Sequence, residues 1–315
     1  MKKNDPSING HYNPVKAKEN GWPIRISKSS FMTYLQCPRK YWWQKVELEG
    51  IRTPPNEYMI HGSAVHKSLE NLYSNLEKIP SISVLQDNLR PFFDIDPDDP
   101  DHEPYVHEAV DVLASLEEAR LKEWGLEAFK PIEFEVKHEV LDPEHGVVLV
   151  GMIDGLLRHP ETGDLVIVEL KTGKLGKTKQ TNTRKELCFY AHMLELLGYG
   201  KTSHFMYLYP ECTNEEIVLE LLNKEAKNKE LSVWMGESQG IGYIEKVHGR
   251  SVNSFKKSLT KAVDGLKNHD WDMKWNDWFC PQWCEFHMPC ESELMDAGWN
   301  INEHRSENNE SNNEW

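Results

Sequence analysis

The sequence predicts an α/β or α+β domain in which helices flank one mixed β-sheet. Three observations support this fold class: amphipathic helices come first, strand patterns fill the middle of the chain, and one helix lies between later strands. With 315 residues the chain is long enough to bury one large core or two small ones. Its 39% hydrophobic and 28% charged residues are typical of a globular protein.

The N-terminal region combines a polar arm with a short helix. Residues 1–23 are polar and predict a disordered arm. Ser29 is a suitable N-cap for a helix over 30–36, which the Cys37-Pro38 step ends because the residue before proline disfavours helix. The following stretch, 39–46, is basic and aromatic.

Two longer helices are expected next. Segment 62–76 has an apolar stripe at helical spacing, and His66 lies at the edge of that stripe. The stripe consists of Val65, Leu69, Leu72 and Leu76. A loop rich in proline and aspartate, 87–103, separates this helix from a second one predicted over 104–129.

Strand patterns in the middle of the chain predict the sheet. Segment 132–140 alternates between apolar and polar residues, which indicates a strand with one polar face. Segments 147–158 and 165–171 are joined by a turn and predict a β-hairpin. The later predicted elements are a helix over 183–197, strands over 204–209 and 216–222, and a helix over 251–267.

The charge distribution bears on the class of partner. The formal net charge is -15, but acids are concentrated in segment 94–103 and in the tail 291–315, which is predicted to be disordered. A nucleic acid would therefore need a local basic groove and metal ions. The chain contains no apolar run long enough for a membrane span and no apolar core near its N-terminus, so we expect a cytoplasmic, intracellular protein.

The predicted hairpin carries a pattern typical of metal chemistry. Glu169 and Lys171 share one face of a strand, and hairpin pairing can bring Asp154 beside them. Carboxylates are the ligands that Mg²⁺ and Mn²⁺ prefer, and an ammonium can stabilise developing negative charge. A surface salt bridge is the alternative interpretation. The strand is apolar on both faces, however, which indicates burial and favours a functional site.

A second candidate site lies near the C-terminus. Of the six cysteines, Cys280, Cys284 and Cys290 fall in one short segment. Such a segment can hold tetrahedral zinc or an iron–sulfur cluster if a fourth ligand is supplied, and His287 can also replace a cysteine. The thiols of Cys188 and Cys212 are expected to be buried or incidental.

Four motifs together resemble the RecB-like iron–sulfur branch of the PD-(D/E)xK nuclease superfamily. This branch includes the CRISPR-associated RecB-like exonucleases and the AddB nuclease domain, together with viral relatives. The resemblance runs from about Ile26 to Cys290, and the nuclease domain is assigned to 24–290. The motifs are Ser27 to Tyr41, Gly62 to His66, Gly151 to Asp154 with Glu169 to Gly173, and Lys185 to Tyr190.

The resemblance implies a restriction-endonuclease-like core and assigns roles to particular residues. It implies that His66, Asp154 and Glu169 bind Mg²⁺ or Mn²⁺ and that Lys171 acts on the attacking water. The Leu170 carbonyl would be a further metal ligand, and Glu186 and Tyr190 would position the metal site or the DNA strand. The sequence departs from the family in two places, since Ile153 replaces a proline and Glu186 replaces the usual glutamine.

The resemblance also supplies a fourth cysteine. It implies that Cys37 joins Cys280, Cys284 and Cys290 around a [4Fe–4S] cluster that links the N- and C-terminal segments. Three residues separate Cys280 from Cys284 where the family has two, and zinc remains an alternative.

We therefore expect a DNA exonuclease acting on single-stranded DNA or a free end, in recombination, repair or CRISPR-type processing. The alternatives are a structure-specific endonuclease and a non-catalytic iron–sulfur subunit that partners a helicase or recombination protein. The viral relatives leave a virus-encoded origin open. Basic and aromatic residues within 39–46, with Arg184 and Lys185, are candidates for holding DNA. Packing around the cluster is the alternative for the tryptophans.

Overall fold

The computed structural model describes residues 9–49, 51, 102–129, 131–173, 175–210, 214–228, 230–236 and 240–298, with separate positions between 62 and 73. Two compact units are present. The first consists of Met1–Arg52, Pro143–Val148 and Ser258–Trp315, and the second of Thr53–Asp142 and Leu149–Lys257. Most of the predicted loop at 87–103, the end of the predicted 62–76 helix and most of the 291–315 tail lie outside the described residues.

The first unit begins with elements that the sequence did not predict. Helix α1 lies inside the segment expected to be a disordered arm, so that prediction is wrong for this part of it. The Asn13 side chain accepts hydrogen bonds from the amides of Val15 and Lys16, which caps the helix. The first elements of the unit are α1 (Pro14–Asn20), β1 (Ile24–Ser27), α2 (Lys28–Gln36), α3 (Pro38–Trp42) and a π-helical turn (Trp43–Glu47).

Helix α2 confirms its predicted end and corrects its predicted start. Ser27 is the cap in place of Ser29, since its Oγ accepts the amide of Ser30 at 3.1 Å. The helix ends at Gln36, and Cys37 is extended as the following proline requires.

The second unit contains the sheet and the helices that cover it. These elements are α4 (His102–Phe129), β2 (Glu133–Asp142), β3 (Val147–Arg158), β4 (Leu165–Leu170), α5 (Lys177–Leu196), β5 (Thr202–Tyr209), α6 (Glu215–Glu225), β6 (Leu231–Met235) and β7 (Ile241–Lys246). Three later helices follow in the chain, namely α7 (Gly249–Asn268), α8 (Phe279–Trp283) and α9 (His287–Asp296).

The sheet is mixed, which confirms the predicted fold class. Strands β3, β4, β5, β7 and β6 are hydrogen-bonded in that order, and β2 pairs with β3. The β4–β5 pair is parallel, whereas β3–β4, β5–β7 and β6–β7 are antiparallel. Val166, Val168 and Leu170 of β4 enter a hydrophobic core with side chains of the 62–73 segment and of α4. Helix α5 packs against β2, β4 and β5.

Two other predictions need correction. Segment 216–222 was expected to be a strand but lies in α6, where Asn214 caps the helix and Ile217 and Leu221 are buried at helical spacing. Helix α5 begins at Lys177, earlier than the expected 183.

The predicted alternation of segment 132–140 is interrupted at Glu135. This residue has a φ of 52°, in the left-handed region that residues other than glycine rarely adopt. Glu133 and His138 are five residues apart, which would place them on opposite faces of a regular strand, yet they form a 2.8 Å hydrogen bond. Strand β2 therefore changes phase near Glu135, as at a β-bulge.

None of the helices in the described part of the chain is both long enough and apolar enough to cross a membrane.

Candidate metal centre

The β3–β4 hairpin places two carboxylates together, as the sequence predicts. Gly155 pairs with Val168, so the preceding Asp154 lies beside the following Glu169. Both residues are buried, with 8% and 1% of their surfaces exposed. Asp154 Oδ2 accepts the amide hydrogen of Leu170 at 2.8 Å, which fixes this carboxylate at the end of β4.

Lys171 follows β4 and contacts acids from two elements. Its Nζ lies 2.5 Å from Glu169 Oε1 and 2.9 Å from Glu186 Oε2 on α5. The buried Glu169 distinguishes this group from an exposed surface salt bridge, which would contribute little. Lys171 is the more exposed partner, so its ammonium lies where a substrate can approach.

His66 reaches the same group of carboxylates from a helical position in the 62–73 segment. Its Nδ1 lies 3.9 Å from Asp154 Oδ1 and contacts Glu135 Oε1. Burial lowers the pKa of His66, but the hydrogen bond with Glu135 and the charges of Asp154, Glu135 and Glu169 outweigh that effect and raise it. The imidazole therefore lies in a strongly negative environment.

Tyr190 is the buried member of the predicted motif on α5. Only 1% of its surface is exposed, and burial, with the charges of Glu169 and Asp154, raises the pKa of its phenol. Its ring occupies space beside Gly151 of β3, because a Cβ at that position would lie 2.6 Å from Tyr190 Cε1. The phenol stays protonated at neutral pH and can donate a hydrogen bond.

The donor set fits a hard divalent cation. Ligand atoms of His66, Glu135 and Asp154 all lie within 4.8 Å of one another. The carboxylate oxygens suit Mg²⁺ or Mn²⁺, whereas the imidazole is a ligand that softer transition metals also accept. The charge of Glu169 acts on His66 in the same group. The Leu170 amide donates a hydrogen bond to Asp154, and the metal role of the Leu170 carbonyl stays a prediction.

Glu135 is the residue of this group that the sequence did not predict. The alternating pattern assigned it to a solvent-facing row of charges. The hydrophobic pattern of a strand does not indicate which residue has a left-handed backbone conformation. Only a glycine in the strand would have suggested such a position.

The second candidate site brings together the four predicted cysteines. Cys37, Cys280, Cys284 and Cys290 line one cavity of about 480 Å³, and His287 also lines it. All four are free thiols. Burial raises the pKa of Cys290 to about 11, and the charges of Cys284 and Cys37 add to that rise.

Backbone amides are directed at two of these sulfurs. Lys274 N donates to Cys37 Sγ at 3.5 Å, and Asn276 N donates to Cys280 Sγ at 3.3 Å. Such hydrogen bonds stabilise thiolates and tune the potential of iron–sulfur centres. The arrangement is therefore suited to a thiolate-bound metal group.

Several residues considered for DNA binding contact other side chains of the protein. Arg184 donates to both oxygens of Glu245 at 2.6 and 2.8 Å, so this guanidinium is held within the protein. Tyr41 is buried and stacks on Trp271, and Trp43 stacks on Phe286. Trp43 therefore packs within the first unit, as the alternative interpretation expects of the tryptophans, and Tyr41 also packs there. Cys188 is buried, as predicted.

Comparisons with known proteins identify the family. Residues 25–291 match the family model described as the PD-(D/E)XK nuclease superfamily. No curated protein matches significantly. A solved structure titled "Crystal structure of SSO0001" is 14% identical, with a TM-score of 0.32, and the match covers 75% of this chain and 98% of that one. Because the family model spans most of the sequence, this chain belongs to the PD-(D/E)XK nuclease superfamily of metal-dependent nucleases.

Proposed function

We propose that this protein is a DNA exonuclease of the RecB-like iron–sulfur branch that acts on single strands or free ends. The observation that carries the proposal is the convergence of His66, Asp154 and Glu169, with Lys171 beside them. These residues come from a helical segment and from two strands, so only the folded chain assembles them.

In this proposal the carboxylates of Asp154 and Glu169 and the imidazole of His66 would hold one Mg²⁺ or Mn²⁺ ion. The Leu170 carbonyl would be a further ligand. Such an ion lowers the pKa of bound water and stabilises charge on a phosphate. The buried Asp154 carboxylate cannot turn away, because the Leu170 amide donates to it at 2.8 Å. Its position is therefore set before metal or substrate arrives.

Lys171 supplies the positive charge at the exposed side of the site. From there its Nζ can donate to the attacking water or to a phosphate oxygen, where negative charge develops during cleavage. Glu186 holds the same ammonium at 2.9 Å and so limits its motion. Tyr190 packs beside the carboxylates as a neutral hydrogen-bond donor that positions the metal site or the DNA strand.

The four-cysteine cavity supports an iron–sulfur cluster over zinc. Around one zinc ion with Zn–S bonds of about 2.3 Å, four sulfurs would lie roughly 3.8 Å apart. Among the described residues, no group of three ligand atoms that lie within 4.8 Å of one another includes any of these thiols. In any three of these cysteines at least one pair of sulfurs is therefore farther apart than 4.8 Å, so we favour a cluster of several iron atoms and assign it a structural role within the first unit.

A cleavage assay on labelled DNA tests the proposed activity. With Mn²⁺ present, the wild type should release nucleotides progressively from one end of linear single-stranded DNA and leave circular single-stranded DNA intact. Lys171→Ala should reduce the rate by about a thousandfold, as for other residues that stabilise transition-state charge. Lys137→Ala removes an exposed lysine paired with Glu139 and should cleave like the wild type.

The assay also separates the alternatives. Cleavage of the circle, or of branched DNA only, would favour a structure-specific endonuclease over the exonuclease. Equal degradation by the wild type and Lys171→Ala would show that the activity belongs to another protein. No cleavage by the wild type with either Mn²⁺ or Mg²⁺ would favour a non-catalytic DNA-binding subunit.

A further inference from the structure

We infer that Glu135 is a further ligand of the divalent ion, in addition to His66, Asp154 and Glu169. The inference rests on the proposed function of this site. It adds a carboxylate from β2, a strand that the sequence analysis assigned no part in the chemistry.

Glu135 lies within reach of an ion held by His66 and Asp154. Glu135 Oε1 contacts His66 Nδ1, and the same ring nitrogen lies 3.9 Å from Asp154 Oδ1. The three ligand atoms lie within 4.8 Å of one another, so one ion between them can reach all three. Each side chain is partly or mostly buried, with 16% of Glu135, 25% of His66 and 11% of Asp154 exposed.

The backbone of β2 orients Glu135 toward the site. Neighbouring residues of a regular strand point to opposite faces, yet Phe134 packs on Tyr73 at 4.9 Å and Glu135 contacts His66. Tyr73 and His66 belong to the same 62–73 segment. The phase change at Glu135 therefore directs its carboxylate toward the site, as bulges next to active sites do.

Glutamate is an unusual residue at this backbone position. A φ of 52° suits glycine, and a glutamate adopts it only if the surrounding structure compensates. A catalytic or ligand role for the side chain is a usual reason for such a conformation. The contact with His66 shows where the side chain acts.

Three carboxylates gather at this site. Glu135 Oε1 and Asp154 Oδ1 both face His66 Nδ1, and Glu169 lies opposite Asp154 across the hairpin. Lys171 contacts Glu169 and Glu186 in this group. A divalent cation among the three carboxylates would offset their mutual repulsion.

Glu135 has a competing role that must be distinguished. A carboxylate can act on a metal indirectly by accepting the ring N–H of a metal-bound histidine. Asp154 approaches His66 from the side of Nδ1, the nitrogen that Glu135 contacts. An ion between His66 and Asp154 would therefore lie next to the Glu135 carboxylate, which favours direct coordination.

The test is a titration of the metal-free protein with Mn²⁺, in which electron paramagnetic resonance measures the concentration of free ion at each step. Glu135→Gln should weaken Mn²⁺ binding by about tenfold or more, as loss of a ligand or its immediate support does. The matched control is Glu139→Gln on the same strand, whose carboxylate pairs with Lys137 at 2.8 Å. It should bind Mn²⁺ within about twofold of the wild type, as surface pairs contribute little.

A double-mutant cycle separates direct coordination from action through the histidine. In a His66→Ala background, Glu135→Gln should weaken Mn²⁺ binding again by a similar factor. If Glu135 only orients His66, the second substitution would change nothing, and the inference would be wrong.

Two further variants keep the outcomes distinct. Glu135→Gly removes the carboxylate while relieving the left-handed backbone, so it should fold and still bind Mn²⁺ more weakly than the wild type. Asp154→Ala should lose binding whatever Glu135 does. If Asp154→Ala binds normally, the proposed site itself fails. If it loses binding while Glu135→Gln and Glu135→Gly do not, only the assignment of Glu135 fails.

Discussion

The ammonium of Lys171 lies between a buried glutamate of β4 and a partly buried glutamate of α5. Glu186 stands where the resemblance leads one to expect glutamine, and the structure gives this difference a physical meaning. A glutamine oxygen can accept a hydrogen bond from the same ammonium, but it adds no negative charge. Glu186 therefore both positions Lys171 and reduces the positive potential that it presents to a phosphate.

Glu186→Gln should leave the nuclease active, with a cleavage rate within about fivefold of the wild type. The loss of one charge-assisted bond costs about 1 kcal/mol, and the more positive potential at Lys171 partly offsets it. Glu186→Ala should be slower than Glu186→Gln because the ammonium loses this contact altogether. Single-turnover cleavage at saturating Mn²⁺ measures both. An Ala variant as fast as the Gln variant would show that Glu186 does not position Lys171.

Part of the candidate site could be predicted from the spacing of its residues in the sequence. Glu169 and Lys171 could be placed together because residues two apart share a strand face. Asp154 could be placed beside them because the hairpin turn was recognisable. Glu135 could not be found, since its orientation results from a backbone angle at an ordinary-looking position in an alternating strand.

At the scale of elements, the approach of α5 to β3 decides whether Tyr190 reaches the site. Gly151 allows this approach, because any Cβ there would meet the Tyr190 ring at 2.6 Å and Met193 Sδ at 3.2 Å. Tyr190 is fully packed, so its ring has little room to move.

Gly151→Ala should lower the free energy of unfolding by about 1–3 kcal/mol through overpacking and should slow cleavage by displacing Tyr190. Gly249→Ala is the control, because a Cβ there meets nothing within 4 Å and should leave stability almost unchanged. Denaturant unfolding followed by circular dichroism measures both variants. Equal midpoints for Gly151→Ala and the wild type would contradict the close contact described between β3 and α5.

The sequence predicted the long elements well and the short ones poorly. The bounds of β3 are as predicted because an apolar run and a clear turn delimit it. Segment 216–222 was misassigned because it is a short, mostly apolar run that includes the β-branched residues Ile217 and Val218, as strands often do. The structure buries Ile217 and Leu221 but exposes Leu219, as a helix does. Strands β6 and β7 pair with each other, with Met235 opposite Ile241, and were missed because they are only five and six residues long.

At the scale of the whole molecule, the four-cysteine cavity joins the beginning and the end of the first unit. Cys37 lies between α2 and α3, whereas Cys280, Cys284 and Cys290 lie in α8, α9 or between them. A metal group bound there would connect segments more than 200 residues apart, and for small domains such binding supplies much of the folding free energy.

If the proposed iron–sulfur cluster is present, Cys290→Ala should lose most of the bound iron and lower the melting temperature markedly, because one of the four proposed ligands is removed. Amide hydrogen exchange should accelerate in residues 28–47 and 279–296. Cys188→Ala is the control, since that buried thiol lies outside the cavity and should retain iron. A colourless wild type with stoichiometric zinc would contradict the iron–sulfur assignment. Full iron content in Cys290→Ala would exclude Cys290 as a ligand.

The whole-molecule architecture was partly accessible from sequence. The mixed sheet with flanking helices followed from the order of periodic segments. The division into two units was not predicted, because each unit combines segments that are distant in sequence. The high net negative charge was a misleading signal taken alone, since most of the excess acids lie in segment 94–103 and in the tail 291–315, apart from the candidate metal centre.

We propose that residues from a helix and a β-hairpin bind one divalent ion between them. A crystal structure with Mn²⁺, analysed by anomalous scattering, would locate that ion. We predict a manganese peak within about 2.5 Å of donor atoms of His66, Asp154 and Glu169, with Lys171 Nζ adjacent but not coordinated. Manganese bound elsewhere, with these three side chains free of it at saturating concentration, would show that they do not form the metal site.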